Sequence, residues 1–457
     1  MRYLTALLCT AALTACGPMP NSESTAESEA EKEPVAFELP SAFPSTYAPL
    51  PSDNVVITNA RIIDGTGEPS EANSLRIVDG RIAEVGIDLA AGELDTIDAG
   101  GRFVTPGIID IHSHLGNYPT PGVRAHGDGN EATSPITSEV YAEHGVWPQD
   151  PGFDEALAGG VTTLHILPGS ANLFGGRGVT LRNVPARTVQ GMKFPDAPYT
   201  LKMACGENPK RVYRDKGGPA SRMGNVAGYR KNWIRAVDYK ESIEAGDEPT
   251  RDLQLETLAG VLNGDILVQM HCYRADEMAQ IIDLSKEFGY KVTTFHHAVE
   301  SYKIADLLAE NDICSAMWAD WYGFKMESFD GIRENVPIVH AAGACAMIHS
   351  DDAKNVQRLN QEVAKTWADG NRMGLDISRD EAWQWLSTNP AKGLGILDET
   401  GTLEPGKRAD VVIWSGDPFS VYSLPDTVMV DGAVLYDRED GVKPRSDFRL
   451  GTTGEMQ

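Results

Sequence analysis

The chain has 457 residues, with 40 Lys plus Arg against 66 Asp plus Glu and a formal net charge of −26. That length suits an α/β barrel with an appended domain, and so acidic a surface repels a phosphate backbone, which argues against nucleic-acid partners. With 41% apolar residues, 23% charged residues and 45 glycines, the composition is that of a globular enzyme rather than a disordered or membrane-spanning chain.

The N-terminus is the exception. Met1-Arg2 precedes an apolar run, Tyr3 to Leu13, that is too short to span a bilayer but suits the core of a signal peptide. It closes in Leu13-Thr14-Ala15-Cys16, which resembles the lipobox of bacterial lipoproteins. Residues 1–16 therefore read as a lipoprotein signal, with Cys16 the acylated first residue of an exported protein held at the cell envelope by its lipid alone. Residues 17–54 carry Glu23, Glu27, Glu29, Glu31 and Glu33 among Ser, Pro and Ala, and read as a disordered acidic tether. Cys9 leaves with the signal. Cys205, Cys272, Cys314 and Cys345 lie in or beside apolar runs without CxxC spacing, so they read as buried thiols rather than a disulfide framework.

From Val55 the pattern is one of short alternating strands with glycine turns, and a similar texture returns in Ala409 to Trp414 and Val428 to Tyr436. Residues 55–103 and 397–445 are expected to build one small β-sandwich from both flanks. Between them, over 104–396, strand-like runs alternate with helical stretches: Phe103 to His112, Val161 to Leu167, Gly178 to Val184, Thr200 to Cys205, Ile266 to His271, Lys291 to His297, Ile313 to Ala319 and Cys345 to Ser350. Eight such runs with crossover helices predict a (β/α)8 TIM barrel. The third strand and the stretch from Lys210 to Glu248 carry the weakest pattern. The glycine-rich run Leu167 to Gly178 lacks the Lys-Ser or Lys-Thr ending of a phosphate loop and reads as an active-site loop.

The chemistry concentrates at strand ends. In Asp110-Ile111-His112-Ser113-His114, alternate residues face one way, so the two imidazoles can share an ion. His271 ends the fifth run, His297 ends the sixth, and Asp351 follows the eighth, all on the face where barrel enzymes carry their sites. Neutral imidazoles with a carboxylate suit zinc or a similar divalent ion. His126, His144, His165, His340, His296 and His349 receive structural or loop roles, with His296 and His349 as neighbours of the ligands. Loops after the same strand ends offer Asn208, Tyr273 and Arg274 for substrate contact, with Lys210, Arg211, Trp318, Asp320, Trp321 and Tyr322 nearby.

With these residues in place, the chain resembles the amidohydrolase superfamily, in its imidazolonepropionase-like and prolidase-like branch. The likeness runs from about Val55 to Tyr436 and includes the closing segment Gly401 to Asp410. It implies a metal-dependent hydrolase of carbon–nitrogen bonds acting on a small molecule, a cyclic amide or a dipeptide-like substrate. It also implies one or two divalent ions: His112 and His114 for the more buried one, His271 and His297 for the second, and Asp351 as both ligand and proton shuttle. The bridging ligand is either Lys202, carboxylated on its amine, or Glu207; Lys202 is preferred, and homo-oligomer formation stays open. A hydrolytic deaminase of a heterocycle would share the ligands but need an aromatic-lined pocket. A non-catalytic solute-binding lipoprotein would not need Asp351.

Overall fold

The computed structural model describes residues 34–40, 43–120 and 122–441. The expected signal peptide, Cys16 and the first part of the tether lie outside the described residues. From residue 34 the expected tether instead lies against the barrel. Phe37 is buried in the main core, Lys193 Nζ donates to the Phe43 carbonyl at 2.6 Å, and Ser45 Oγ donates to the Lys193 carbonyl at 2.6 Å. A polar average had hidden one anchoring aromatic.

The N-terminal flank forms β1 (Val55–Thr58), β2 (Arg61–Ile62), β3 (Ser74–Val78), β4 (Arg81–Gly86), β5 (Asp95–Asp98) and β6 (Phe103–Pro106). The C-terminal flank adds β15 (Val411–Trp414), β16 (Pro425–Val430) and β17 (Ala433–Asp437), numbered after the eight barrel strands described below. They make two sheets, β4-β3-β1-β5 and β17-β16-β15-β6-β2, in which β6 pairs antiparallel with β15. Ile57, Leu75, Ile77, Val104, Val411 and Met429 fill the space between them.

The barrel strands are β7 (Ile108–Ser113), β8 (Val161–Ile166), β9 (Phe174–Arg182), β10 (Thr200–Ala204), β11 (Leu267–Cys272), β12 (Val292–His297), β13 (Cys314–Met317) and β14 (Cys345–Ile348), paired in that order. The architecture is the expected (β/α)8 barrel with two departures. The single first strand expected from Phe103 to His112 is split at Pro106-Gly107, so that its first half serves the small domain. A Cβ on Gly107 would come within 2.2 Å of Thr162 Oγ1, so only glycine lets the chain cross there. The third strand, β9, starts at Phe174 and runs antiparallel to both neighbours. Residues 167–173 are too few for a crossover helix, and a parallel return needs a dozen or more. The last five of the twelve residues of the expected glycine-rich loop, Phe174 to Gly178, are therefore strand.

Helices cover the barrel where the spacing predicts them. One spans Ala275–Phe288, burying Met278, Ile281, Ile282 and Leu284 and ending at Gly289 in the left-handed conformation (φ 74°). The weakly patterned stretch holds a helix over Arg222–Glu244, capped by Ser221, whose Oγ accepts from Gly224 N–H at 3.1 Å. Among the described residues no helix is long and apolar enough to cross a membrane.

The four cysteines are not separate thiols. Cys205 bonds Cys272 and Cys314 bonds Cys345, with Cα separations of 5.3 and 4.4 Å. The first bridge ties the residue after β10 to the end of β11, and Cys314 and Cys345 are direct partners in the β13–β14 register. Strand pairing brings together residues 67 and 31 positions apart, which sequence spacing does not reveal.

Candidate metal centre

The centre starts with the period of β7. Asp110, His112 and His114 alternate onto one side of the strand. Asp110 is fully buried and accepts from the backbone N–H of Ser350 at 3.1 Å and of His112 at 3.2 Å, and also from the Ser350 hydroxyl. This clamp joins the end of β14 to β7, and the Asp351 N–H continues it by donating to the His112 carbonyl at 3.0 Å. Barrel closure thereby delivers Asp351 to the two histidines. Burial raises the Asp110 carboxyl to about 6 even against those hydrogen bonds.

Asp351 Oδ1 lies 3.2 Å from His114 Nε2 and 3.6 Å from His112 Nε2. Ligand atoms bound tetrahedrally to zinc at their usual bond lengths sit about 3.3 Å apart, so both separations from Asp351 have the spacing of an ion's coordination shell, and the three ligand atoms all lie within 4.8 Å of one another. The ring tautomers agree. His114 Nδ1 donates to the Leu167 carbonyl at 2.8 Å, leaving Nε2 as the free lone pair. For His112 the proton positions follow from a chain of contacts. Gln269 Nε2 donates to the Gly393 carbonyl at 3.1 Å, so Gln269 Oε1 accepts from His296 Nε2–H at 2.6 Å. His296 Nδ1 must then accept from His112 Nδ1–H at 2.8 Å, which points the His112 Nε2 lone pair into the site.

His271 and His297 face the same centre with ring centroids 4.6 Å apart, and the Nδ1 of each is buried without a hydrogen-bond partner. Burial, reinforced by Lys202 and by neighbouring imidazoles, pushes His112, His271, His296 and His297 well below the ordinary histidine value. They are neutral, the form that binds metal. Burial would raise the Asp351 carboxyl, but the hydrogen bond and charge of His114, with His349 and Lys202, hold it below its usual range. Asp351 (φ 48°) and His297 (φ 67°) both occupy the left-handed region, a local cost that only a rigid surround maintains.

The two rival bridging residues are separated by the fold. Lys202 lies inside β10, 1% exposed, with Nζ 3.4 Å from His112 Nε2. Burial lowers its amine to about 7. Glu207 opens the helix Glu207–Tyr213, is part-exposed, and pairs with Lys325 at 3.6 Å. Of the expected substrate contacts, Tyr273 stacks on His297 at 5.3 Å, and Asn208 Nδ2 stands 3.5 Å from His271 Nε2 while donating to Ser170 Oγ at 2.9 Å. Arg274 is not brought in: it is half-buried and bound to Asp276 at 2.9 Å, in the first turn of the helix it precedes. Trp318 stacks on His297 at 4.4 Å and, with Tyr273, Trp321 and Phe324, lines one side of the centre with aromatic rings.

The sequence reading gave Asp110, Gln269 and Lys325 no role. Asp110 carried a signal, being in phase with His112 and His114. Gln269 carried one too, two residues before His271 on the same strand face. Lys325 lies in a loop without periodicity and carried none.

A barrel whose strand ends gather histidines, a carboxylate and a buried lysine defines a metal-dependent hydrolase. The chain belongs to the amidohydrolase family, whose profile matches residues 103–435. It is 32% identical over 390 residues to the amidohydrolase tasK of Hapsidospora irregularis, covering 78% of this chain but 39% of that relative's length. It is 25% identical over 408 residues to an imidazolonepropionase of Brucella anthropi, covering 79% of this chain and 92% of that protein. An amidohydrolase structure from Thermotoga maritima matches with a TM-score of 0.77 and 33% identity, over 84% of this chain and all of that one.

Proposed function

We propose that the chain hydrolyses an amide-type C–N bond in a cyclic amide or dipeptide-like substrate, holding two divalent ions, zinc being the favoured identity, with Lys202 carboxylated. The observation that carries this reading is Lys202 itself. Its amine is buried beside His112, and among the described residues no carboxylate lies within ion-pair distance of it. A buried, unpaired ammonium is costly. With its amine lowered to about 7, much of Lys202 is the neutral base at physiological pH. That base can add to carbon dioxide, forming an N–C bond and releasing one proton, so that a buried cation becomes an anion with two ligating oxygens.

Bound divalent ions would lower the pKa of water toward neutrality and polarise the scissile carbonyl. His112, His114, Lys202, His271, His297 and Asp351 would hold them. The chain's own part is proton management and positioning. Asp351, ionised at neutral pH, accepts the proton of the attacking water on a carboxylate oxygen and returns it to the leaving nitrogen. Tyr273 and Trp318 press a flat face on the substrate, and Asn208 offers an amide at the mouth.

The aromatic side favours a ring-bearing substrate, and it gives a hydrolytic deaminase a specific footing as the second reading. A screen of dipeptides, N-acyl amino acids, cyclic ureides and amino-heterocycles separates the two, since only the deaminase releases ammonia. Lys202→Ala should lose the second ion and most activity, with partial recovery on adding a small carboxylic acid. Full activity without added acid would overturn the carbamate.

The proposal extends to location: an exported protein acylated at Cys16. The two disulfides support it, because such bridges persist in oxidising compartments. Mass spectrometry of the mature protein should find Cys16 N-terminal and lipid-modified; an unmodified Cys16 contradicts this.

A further inference from the structure

His349 has no place in the ligand set considered so far. It is 1% exposed, lies two residues before Asp351, and neither ring nitrogen has a hydrogen-bond partner. His165, as deeply buried, shows how this fold treats a structural histidine: its Nδ1 meets the Ile111 carbonyl at 3.1 Å and its Nε2 meets Thr200 Oγ1 at 2.8 Å. An imidazole buried with both nitrogens unmet lacks a partner that the folded protein supplies elsewhere as a matter of course.

The surroundings of His349 say what that partner is. Its ring centroid is 5.0 Å from those of His112 and His297, which are themselves 4.8 Å apart. One nitrogen from each of the three falls within 4.8 Å of the others. Imidazoles on one tetrahedral ion have centroids about 5 Å apart. His112 cannot complete both this cluster and the one with His114 and Asp351. Its Nδ1–H is committed to His296, and the single lone pair on Nε2 faces Asp351 at 3.6 Å and Lys202 at 3.4 Å. With His112 held by the first ion, His297 and His349 remain as a pair.

We infer that His349 is a ligand of the second ion, beside His297. The inference rests on the two-ion reading above and adds a residue to it.

The test is a titration of metal-free protein with Co2+, followed by ligand-field absorption, for the wild type, His349→Asn, His349→Gln and, as a reference, His297→Asn. Wild type should take up two ions. Both His349 variants should keep the first, with unchanged circular dichroism, and bind the second on the order of 100-fold more weakly, as His297→Asn does. If His349→Asn takes up two ions with wild-type affinity, His349 is not a ligand, whatever happens to turnover. If wild type itself saturates at one ion, the two-ion reading fails first and this inference falls with it. Should both variants unfold, a crystal structure of the metal-loaded wild type decides: a His349 nitrogen about 2.0–2.1 Å from an ion upholds the inference, and a separation beyond about 3 Å overturns it.

Discussion

Two buried polar clusters in this molecule look alike in composition and differ in completeness. In the first, Arg182 of β9 meets Asp410 and Asp431 from the small domain. Arg182 Nη1 donates to Asp410 Oδ2 at 2.7 Å and to Thr163 Oγ1 at 3.1 Å, Thr400 donates to Asp410 at 2.6 Å, and Arg408 pairs with Asp431 at 3.1 Å. Burial alone would raise the Asp410 carboxyl, yet Arg182 holds it below the ordinary range. In the second, at the barrel mouth, His271, His297 and His349 keep ring nitrogens without partners, and Lys202 keeps an amine with no carboxylate at ion-pair distance among the described residues. The first cluster pairs its buried charges within the chain and joins two domains, with Arg182 Nε left without a hydrogen bond. The second gathers unpartnered imidazole nitrogens and an amine without a counter-charge in one place, an arrangement that a metal ion would complete.

The largest effect should come from the open cluster. Asp351→Asn keeps size and an oxygen but cannot accept a proton, so turnover should fall on the order of 10² to 10⁴-fold with the fold intact; steady-state kinetics and circular dichroism check this. Near-normal turnover would remove Asp351 from the shuttle role.

Breaking the closed cluster should cost stability instead. Arg182→Met leaves Asp410 buried and unpaired, and denaturant unfolding should show a loss of about 3–5 kcal/mol at neutral pH. The sign with pH is fixed by Asp410. In the wild type its depressed native value gives stability that is complete above about pH 4 and is lost as pH falls through the native value. In the variant the buried carboxyl rises, so the gap between the two proteins should narrow on acidification. A gap independent of pH would show that Asp410 is not the group responsible.

A smaller effect belongs to the contacts that orient His112. Gln269→Leu removes the acceptor for His296 and should weaken metal binding about 10- to 100-fold, while Gln269→Glu keeps the acceptor and should recover most of it. Equal affinity in both variants would mean that His296 only fills space. The smallest change is expected from Glu207→Ala, which loses the Lys325 pair at the rim and should leave metal content unchanged by elemental analysis.

The legible part of the site was the part written locally. His112 and His114 share a strand face by period two, and His271, His297 and Asp351 fall where apolar runs stop. The flanking strands were legible through alternation and glycine turns. What was not legible depends on partners distant in the chain. The direction of β9 follows from the short link before it, and the disulfides follow from strand register. The path from Gly393 through Gln269 and His296 to His112 joins four elements that share no sequence pattern. Arg274 pairs with Asp276 because a cation after a ligand strand serves a helix start as readily as a substrate. His349 carried no signal of its own in the sequence, because the contacts of its ring with His112 and His297 come from other strands.

The central claim is that the open cluster is completed by metal, and elemental analysis of purified, active protein tests it most directly. Two divalent transition-metal ions per chain, with activity lost on chelation and restored by adding metal back, is the predicted result. Fully active protein containing no transition metal would contradict it.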